Sequence, residues 1–252
     1  MTPLVHLALN AGVSAACFLV LWLAALRLED VSFIDSWWAL GIGALALLAY
    51  FEADVHGDRG KVLLVLAEAW AIRLGVYLLW RWRRKGPDMR YKRLLRDKNF
   101  ALGSLVYVFG LQFVLQFIVS LPVQLGQWGE QRVDMMAIVG AVLAVLGYAF
   151  ESVADWQLVR FKADPRNGGH VLDSGLWRTS RHPNHFGDAC VWWGLFLLSG
   201  QWWALPGPLL LTFLLTRFSG VPTVESSMRR HYPGHDAYVA RTSTFIPWFP
   251  KR

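Results

Sequence analysis

The apolar residues of this chain fall in long, almost uninterrupted runs, and that pattern leaves few folds open. A bilayer core is about 30 Å thick, so a helix that spans it needs roughly 20 mostly apolar residues. Seven segments approach or exceed that length: about 4–26, 33–51, 62–80, 100–121, 135–153, 186–200 and 202–218. The sixth is short, and Gln201-Trp202-Trp203 after it reads as an interfacial turn, so the last two segments are predicted to form a tight helical hairpin. A length of 252 residues would also suit one or two soluble domains. Yet only 17% of the residues are charged, against roughly 25% in ordinary globular chains, and 55% are hydrophobic. The expected fold class is therefore all-α: an integral membrane bundle of about seven transmembrane helices.

The loops orient that bundle. Arg81, Arg83, Arg84, Lys85, Arg90, Lys92, Arg93, Arg96 and Lys98 lie between segments three and four. Arg160, Lys162, Arg166, Arg178 and Arg181 lie between five and six, and Arg229, Arg230, Arg241, Lys251 and Arg252 follow seven. The alternate loops, 56–61, 122–134 and 201–203, are poor in Lys and Arg. The positive-inside rule makes the basic side cytoplasmic, which puts the N-terminus outside and the C-terminus inside. The formal net charge of +7 is thus a statement about topology. Because the basic residues are dispersed over membrane-proximal loops, a nucleic-acid partner is not expected, and anionic lipid headgroups are the simpler one.

Cys17 and Cys190 both lie in apolar runs without metal-ligand spacing, so neither a disulfide framework nor a metal site is expected. Residues 1–10 contain no Lys or Arg, so the first apolar run reads as a retained helix rather than a secretory signal. Most tryptophans near the predicted interfaces, such as Trp37, Trp38, Trp80, Trp82, Trp202, Trp203 and Trp248, read as an aromatic belt.

Ionisable groups inside spanning helices are costly in lipid and usually face the bundle or water. Asp35, Glu68, Arg73, Glu151, Asp155 and Asp188 are such groups. Glu68 and Arg73 are five apart and do not stack as a helical pair. Glu151 and Asp155 are four apart, so both carboxylates lie on one helix face. They either point to the headgroups and meet Arg160 or Lys162, or line a polar cavity open to the cytoplasm; the second reading is favoured. Gln112 and Gln116 are one turn apart, and interhelical hydrogen bonding accounts for them.

The richest stretch precedes and opens segment six. After Asp155-Trp-Gln-Leu-Val-Arg-Phe-Lys162 and a Pro/Asn/Gly-rich turn comes Ser174-Gly175-Leu176-Trp177-Arg178-Thr179-Ser180-Arg181-His182-Pro183-Asn184-His185-Phe186-Gly187-Asp188. Arginine forks match phosphate oxygens, Pro183 suits a first helical turn whose unbonded N–H groups favour an anion, and Asp188 can accept from a ribose hydroxyl or an amide. A diphosphate nucleotide fits this chemistry, against the simpler reading of a basic loop that ends at a helix.

Arg181-His182-Pro183-Asn184-His185-Phe186-Gly187-Asp188 closely resembles the Arg-His-Pro-Asn-Tyr-Phe-Gly-Glu signature of DUF1295, a bacterial membrane family in the steroid 5α-reductase-like (3-oxo-5α-steroid 4-dehydrogenase) superfamily. Asp155, Gln157 and Phe161-Lys162 before it are similar to the family pattern. So are Trp192-Trp193-Gly194, Ser219-Gly220-Val221-Pro222 with Glu225, and Tyr238 with Arg241-Thr242-Ser243 and 245–250. Asp35 and Arg90-Tyr91 also look like family positions. The resemblance implies a seven-helix bundle, with 154–252 as a cytoplasm-facing nucleotide-binding half of a single domain over 1–252. It implies NADPH as cofactor, with Asp155, Lys162, Asn184, Asp188 and Arg217 around the nucleotide and Arg178, Arg181 and His182 bordering its phosphates. Arg241 belongs to the same pattern, and Glu225 stands where steroid reductases present a tyrosine to the cofactor. Those enzymes hold an enone with a glutamate in the second helix and a tyrosine in the third. Here the second helix offers Asp35-Ser36 and the third places Trp70 at that point, so cofactor binding transfers better than steroid specificity. Asp35 is the expected carbonyl-orienting group, with Tyr91 or Tyr77 as proton donor.

The leading expectation is an NADPH-dependent reductase in the bacterial inner membrane that reduces a carbon–carbon double bond conjugated to a carbonyl in a lipid-soluble substrate. The competing one is an S-adenosylmethionine-dependent methyltransferase of the isoprenylcysteine or phospholipid type, whose Arg-His-Pro-x-Tyr-x-Gly element is similar. That reading uses Glu225, Tyr232 and Tyr238, but Glu225 is single where those enzymes carry adjacent glutamates. A non-catalytic sensor or transporter ranks last, because no repeat or Gly/Pro-broken helix pair suggests one.

Overall fold

The structure is a computed structural model, and it describes residues 2–129, 132–218, 228, 232 and 234–250. Among the described residues there are helices and connecting loops and no strand. Five helices are long and apolar enough to cross a membrane: α1 (Pro3–Leu28), α2 (Ile34–Glu52), α3 (Asp58–Lys85), α5 (Phe100–Val119) and α7 (Met135–Ala163). They coincide with the first five apolar runs of the sequence. Between them lie the short α4 (Met89–Leu95) and α6 (Leu121–Leu125). The sixth and seventh runs form α8 (Pro183–Ser199) and α9 (Pro206–Phe213), the latter continued by a π-helical turn at Leu214–Phe218. A last short helix, α10, covers His235–Arg241.

Local chemistry sets the helix ends. Pro3 and Pro183 open α1 and α8, where a missing N–H costs nothing. Asp88, Asn99 and Asp134 accept from the N–H groups of Arg90, Leu102 and Ala137 at the starts of α4, α5 and α7. Gly86, at φ +69°, ends α3 with its N–H on the Trp82 carbonyl. Within α5, residues Leu105–Gly110 widen into a π-helix, and such turns concentrate at functional positions.

The chain divides into two compact units, Met1–Ile138 with Leu195–Gly207, and Val139–Gly194 with Pro208–Arg252. In the first, α1 inverts the burial rule of a soluble helix. It buries His6, Asn10 and Ser14, spaced four apart, and exposes Leu9, Val13, Leu19, Val20 and Leu23. A helix that turns its polar stripe inward and its aliphatic side chains outward has lipid as its solvent. Asn10 donates to Gln124 Oε1 at 3.0 Å, and His6 Nδ1 lies 2.9 Å from Glu52 Oε2. Phe18, Val31, Phe33, Ile34, Leu95 and Phe109 form an apolar core flanked by Trp22, Trp82, Tyr91 and Phe113.

Arg59, only 4% exposed, ties three elements of this unit together. Its guanidinium donates to the Leu198 and Leu197 carbonyls at the end of α8, at 2.6 and 3.0 Å, and to Asp134 at the start of α7, at 3.2 Å. A cation there satisfies terminal carbonyls and complements the helix dipole. Gly200, at φ +67°, leaves room for it: a Cβ would lie 2.6 Å from Arg59 Nη2.

In the second unit, α7 and α8 pack antiparallel along a glycine seam. A Cβ on Gly147 would meet the Val191 nitrogen at 2.6 Å, one on Gly187 would meet the Glu151 nitrogen at 2.6 Å, and one on Gly194 would strike the Ala144 backbone. Small residues at such a seam let two membrane helices come into backbone contact.

Candidate functional site

The first unit gathers a polar network around the start of α2. Tyr91, on α4, donates its phenolic proton to Asp35 Oδ1 at 2.5 Å. Arg90 donates to Asp35 Oδ2 at 2.8 Å, and Arg81 stands 3.6 Å from the same oxygen. Gln112, on α5, donates from Nε2 to the Tyr91 oxygen at 2.8 Å, so the phenol is held from both sides. Arg90 also binds Asp88, whose N–H donates to Ser32 Oγ, and Ser32 and Trp82 both donate to Asp30. Burial and the Asp35 charge push the Tyr91 phenol well above its ordinary value, so it keeps its proton. Burial lowers the Arg90 value, but Asp88 and Asp35 outweigh it and hold the guanidinium charged.

Asp35 and Tyr91, paired as a candidate orienting group and proton donor from sequence, are therefore in direct contact. Tyr77, the other candidate donor, stacks on Trp80 at 6.1 Å. Trp70 is fully buried. Gln116 bonds between helices, as expected, through Nε2 to the Trp37 and Trp38 carbonyls at 2.9 and 3.0 Å. Gln112 does more than that: it reaches the phenol, a contact that one-turn spacing alone could not reveal.

The second unit builds the Arg-His-Pro motif. The loop before α8 is folded back on the C-terminal segment: Arg181 N–H donates to the Ser243 carbonyl at 2.9 Å, Ser180 Oγ to the Phe245 carbonyl at 2.8 Å, and Trp248 N–H to the Thr179 carbonyl at 2.9 Å. Tyr238 donates its hydroxyl to the Trp177 carbonyl, and Trp177 donates its indole N–H to the Ala154 carbonyl. Gln157 Oε1 accepts from Leu176 N–H at 3.0 Å. The Arg181 side chain, 8% exposed, donates to Thr244 Oγ1. Asn184 donates to Asp155 Oδ1 at 3.2 Å, and Asp188 follows one turn along α8. Glu151, Asp155 and Asp188 are all buried.

Beside the motif lies a cavity of about 280 Å³. Its lining combines the apolar and aromatic side chains of Leu158, Phe161, Trp177 and Tyr238 with Lys162, Arg181, His170, His182 and His235. The carboxylate at its rim, Asp164, is held by Arg166 at 2.7 Å. Of the residues expected around a nucleotide, Lys162, Arg181 and His182 line the cavity. Asp155 and Asn184 bond each other and are not part of that lining. Arg178 and Arg217 are exposed, and Arg241, also exposed, pairs with Asp173. Glu225 lies outside the described residues. His170 and His235 carry no motif signature, and only the folding of the loop onto α10 brings them together. Among the described residues no group of three or more His, Cys, Asp or Glu is placed to hold a metal.

The sequence profile of a family described as "protein of unknown function (DUF1295)" matches residues 21–243. The chain belongs to DUF1295. No curated protein and no solved structure matches it. The match takes in the Asp35–Tyr91 network, the Arg-His-Pro loop and all of the cavity lining.

Proposed function

We propose that this DUF1295 protein is a membrane reductase of the steroid 5α-reductase-like superfamily that uses NADPH to reduce a conjugated C=C bond of a lipid-soluble substrate. The observation that carries the reading is the cavity beside the Arg-His-Pro motif, whose lining combines cations with aromatic rings. That donor set fits a nucleoside phosphate: Lys162 and Arg181 balance phosphate charge, His182 and His235 add ring N–H donors, and the aromatic side chains take a base. S-adenosylmethionine carries a sulfonium cation, which this lining disfavours.

When bound, NADPH supplies a hydride for the β-carbon of the enone. The chain's own share is to hold the nucleotide by Lys162, Arg181 and His182, and to hold a proton at the Tyr91 oxygen. Asp35, clamped by Arg90, accepts the phenol O–H at rest and so orients the ring; the O–H turns from Asp35 to the enolate oxygen as charge develops there, and donates to it.

The same reading gives seven crossings, an outside N-terminus and a cytoplasmic C-terminus in a bacterial inner membrane. At about 1.5 Å per residue, the 17 residues of α8 reach roughly 25 Å, somewhat short of a full hydrocarbon core. Its C-terminal carbonyls nevertheless share Arg59 with the start of α7, and α8 runs antiparallel along α7. A helix that returns to the level at which its neighbour began supports a sixth crossing.

The test is thermal stability of detergent-purified protein with NADPH, NADH or S-adenosylmethionine, for wild type and for Lys162→Ala and Arg181→Ala. A ligand that binds the folded state raises the melting temperature by mass action. Stabilisation by NADPH, lost or halved in both variants, is expected. Stabilisation by S-adenosylmethionine alone would falsify the reductase reading.

A further inference from the structure

The segment 81–98 carries nine basic residues against two acids, a net +7 that equals the formal charge of the entire chain. Positive-inside topology accounts for the sign of such a loop. It does not account for how the fold sorts those charges. In α4 the burial of Leu95 and the packing of Tyr91 against the apolar core fix the inner side of the helix. At 3.6 residues per turn, Lys92, Arg93 and Arg96 then fall within an arc of about 100° on the outer side, and all three are exposed. Arg83, Arg84 and Lys85 end α3 just before the turn into α4 and are exposed as well. The basic loop before α8 spends its charges differently: Lys162 and Arg181 line the cavity, and Arg166 is held by Asp164.

Aromatic rings mark the depth of the α4 face. Arg84 lies 5.1 Å from the centre of the Trp80 ring and Lys98 5.1 Å from that of Tyr107, and both rings are exposed on helices long enough to cross a membrane. Such rings settle at the headgroup level of a bilayer, so the cations over them stand among lipid phosphates. The two acids of the segment are already engaged: Asp88 caps α4 and holds Arg90, and Asp97 lies 3.9 Å from Arg96. Arg83, Lys85 and Arg93 pair with no acid among the described residues.

We infer that the outer face of α4, with the last turn of α3, binds the phosphodiester headgroups of anionic phospholipids. Clustered Lys and Arg beside a membrane helix attract anionic lipid, and exposed guanidinium forks match phosphate oxygens. The contact has a consequence for the other side of the helix. A seven-residue helix is marginal without outside contacts, and α4 carries Arg90 and Tyr91, both bonded to Asp35. Lipid on the outer face therefore steadies the helix that places the Tyr91 phenol on Asp35. The binding stands apart from the reductase reading, since it involves neither the cavity nor NADPH.

The experiment places the full chain in nanodiscs of phosphatidylcholine, with or without phosphatidylglycerol. It reads the lipids retained, by native mass spectrometry, and hydrogen–deuterium exchange along α4. Wild type is expected to retain phosphatidylglycerol over phosphatidylcholine by about tenfold at low salt, a preference that shrinks as salt screens it. Residues 89–95 should exchange more slowly when phosphatidylglycerol is present. The triple variant Lys92→Gln/Arg93→Gln/Arg96→Gln should lose both effects, and the charge-keeping Lys92→Arg/Arg93→Lys/Arg96→Lys should retain them. If the neutralised triple variant fails to fold, Arg93→Gln alone should lower the preference by about fivefold. Equal retention of the two lipids by wild type, or an undiminished preference in the folded neutralised variant, overturns the inference. So does slowing of exchange at 89–95 by an added DNA duplex but not by phosphatidylglycerol, which would give the face to a polyanion in solution.

Discussion

At Asp30 and Asp88 two buried tendencies oppose each other. Burial raises each carboxyl, but Asp30 accepts from Trp82 at 2.7 Å and from Ser32, and Asp88 accepts from the Arg90 side chain and backbone. The hydrogen bonds win, and both groups sit below their ordinary value of 3.8. A carboxyl depressed on folding contributes stability that is present above that value and is lost as pH falls through the folded one. The detergent-solubilised protein is therefore expected to lose stability below about pH 4. Asp30→Asn should lower stability by about 1 kcal/mol at neutral pH and flatten the acid limb, as read from melting temperature against pH. An acid limb unchanged in that variant would remove Asp30 from the account. None of this was visible from residue type alone. Asp88 meets Arg90 two residues along the chain, whereas Asp30 meets Trp82 only through the fold, 52 residues away.

Among the elements, α7 and α8 depend on their glycines in a way that α1 does not. Each Cβ added at Gly187 or Gly194 would meet α7 backbone, which cannot turn aside as a long side chain can. Gly187→Ala and Gly194→Ala are expected to cost about 1–3 kcal/mol each by overpacking. Gly12 lies in α1 with nothing within 4 Å of its Cβ position, so Gly12→Ala should be neutral or stabilise by up to about 1 kcal/mol. Differential thermal denaturation of the three variants separates a packing seam from simple helix propensity, since propensity would favour alanine at all three. The glycines of the Arg-His-Pro region were legible in sequence as part of a family motif, but their pairing with Glu151 and Ala144 was not. Hydropathy reports that a segment is apolar; it carries no record of which face meets a neighbour.

For the whole molecule, the number of crossings turns on α8 and α9. Under seven crossings, Trp203, at 86% exposure, lies outside the cell, and Asp97, also exposed, lies inside. Single-cysteine variants Trp203→Cys and Asp97→Cys, with Cys17 and Cys190 replaced by serine, should label oppositely with a membrane-impermeant maleimide in intact cells. Trp203→Cys should react and Asp97→Cys should react only after lysis. Labelling of neither before lysis would mean that α8 and α9 turn back within the membrane, leaving five crossings.

The sequence by itself determined the class of solvent and the first five membrane helices, because about 20 contiguous apolar residues have few places to go except a bilayer. It also marked Asp35, Tyr91 and the Arg-His-Pro loop, since ionisable groups in lipid and mixed Arg/His/Asn loops are rare enough to stand out. The tertiary structure decided which of these touch. Tyr91 reaches Asp35 across 56 residues and Gln112 reaches Tyr91 across 21. The cavity cations Lys162 and Arg181 come together with His235 only when the C-terminal segment folds onto the loop before α8. Arg178, Arg217 and Arg241 are exposed and are not part of that lining. The physical reason is one of range. Hydropathy and loop charge are sums over neighbours in the chain, whereas a hydrogen bond or a cavity wall is set by distance in space.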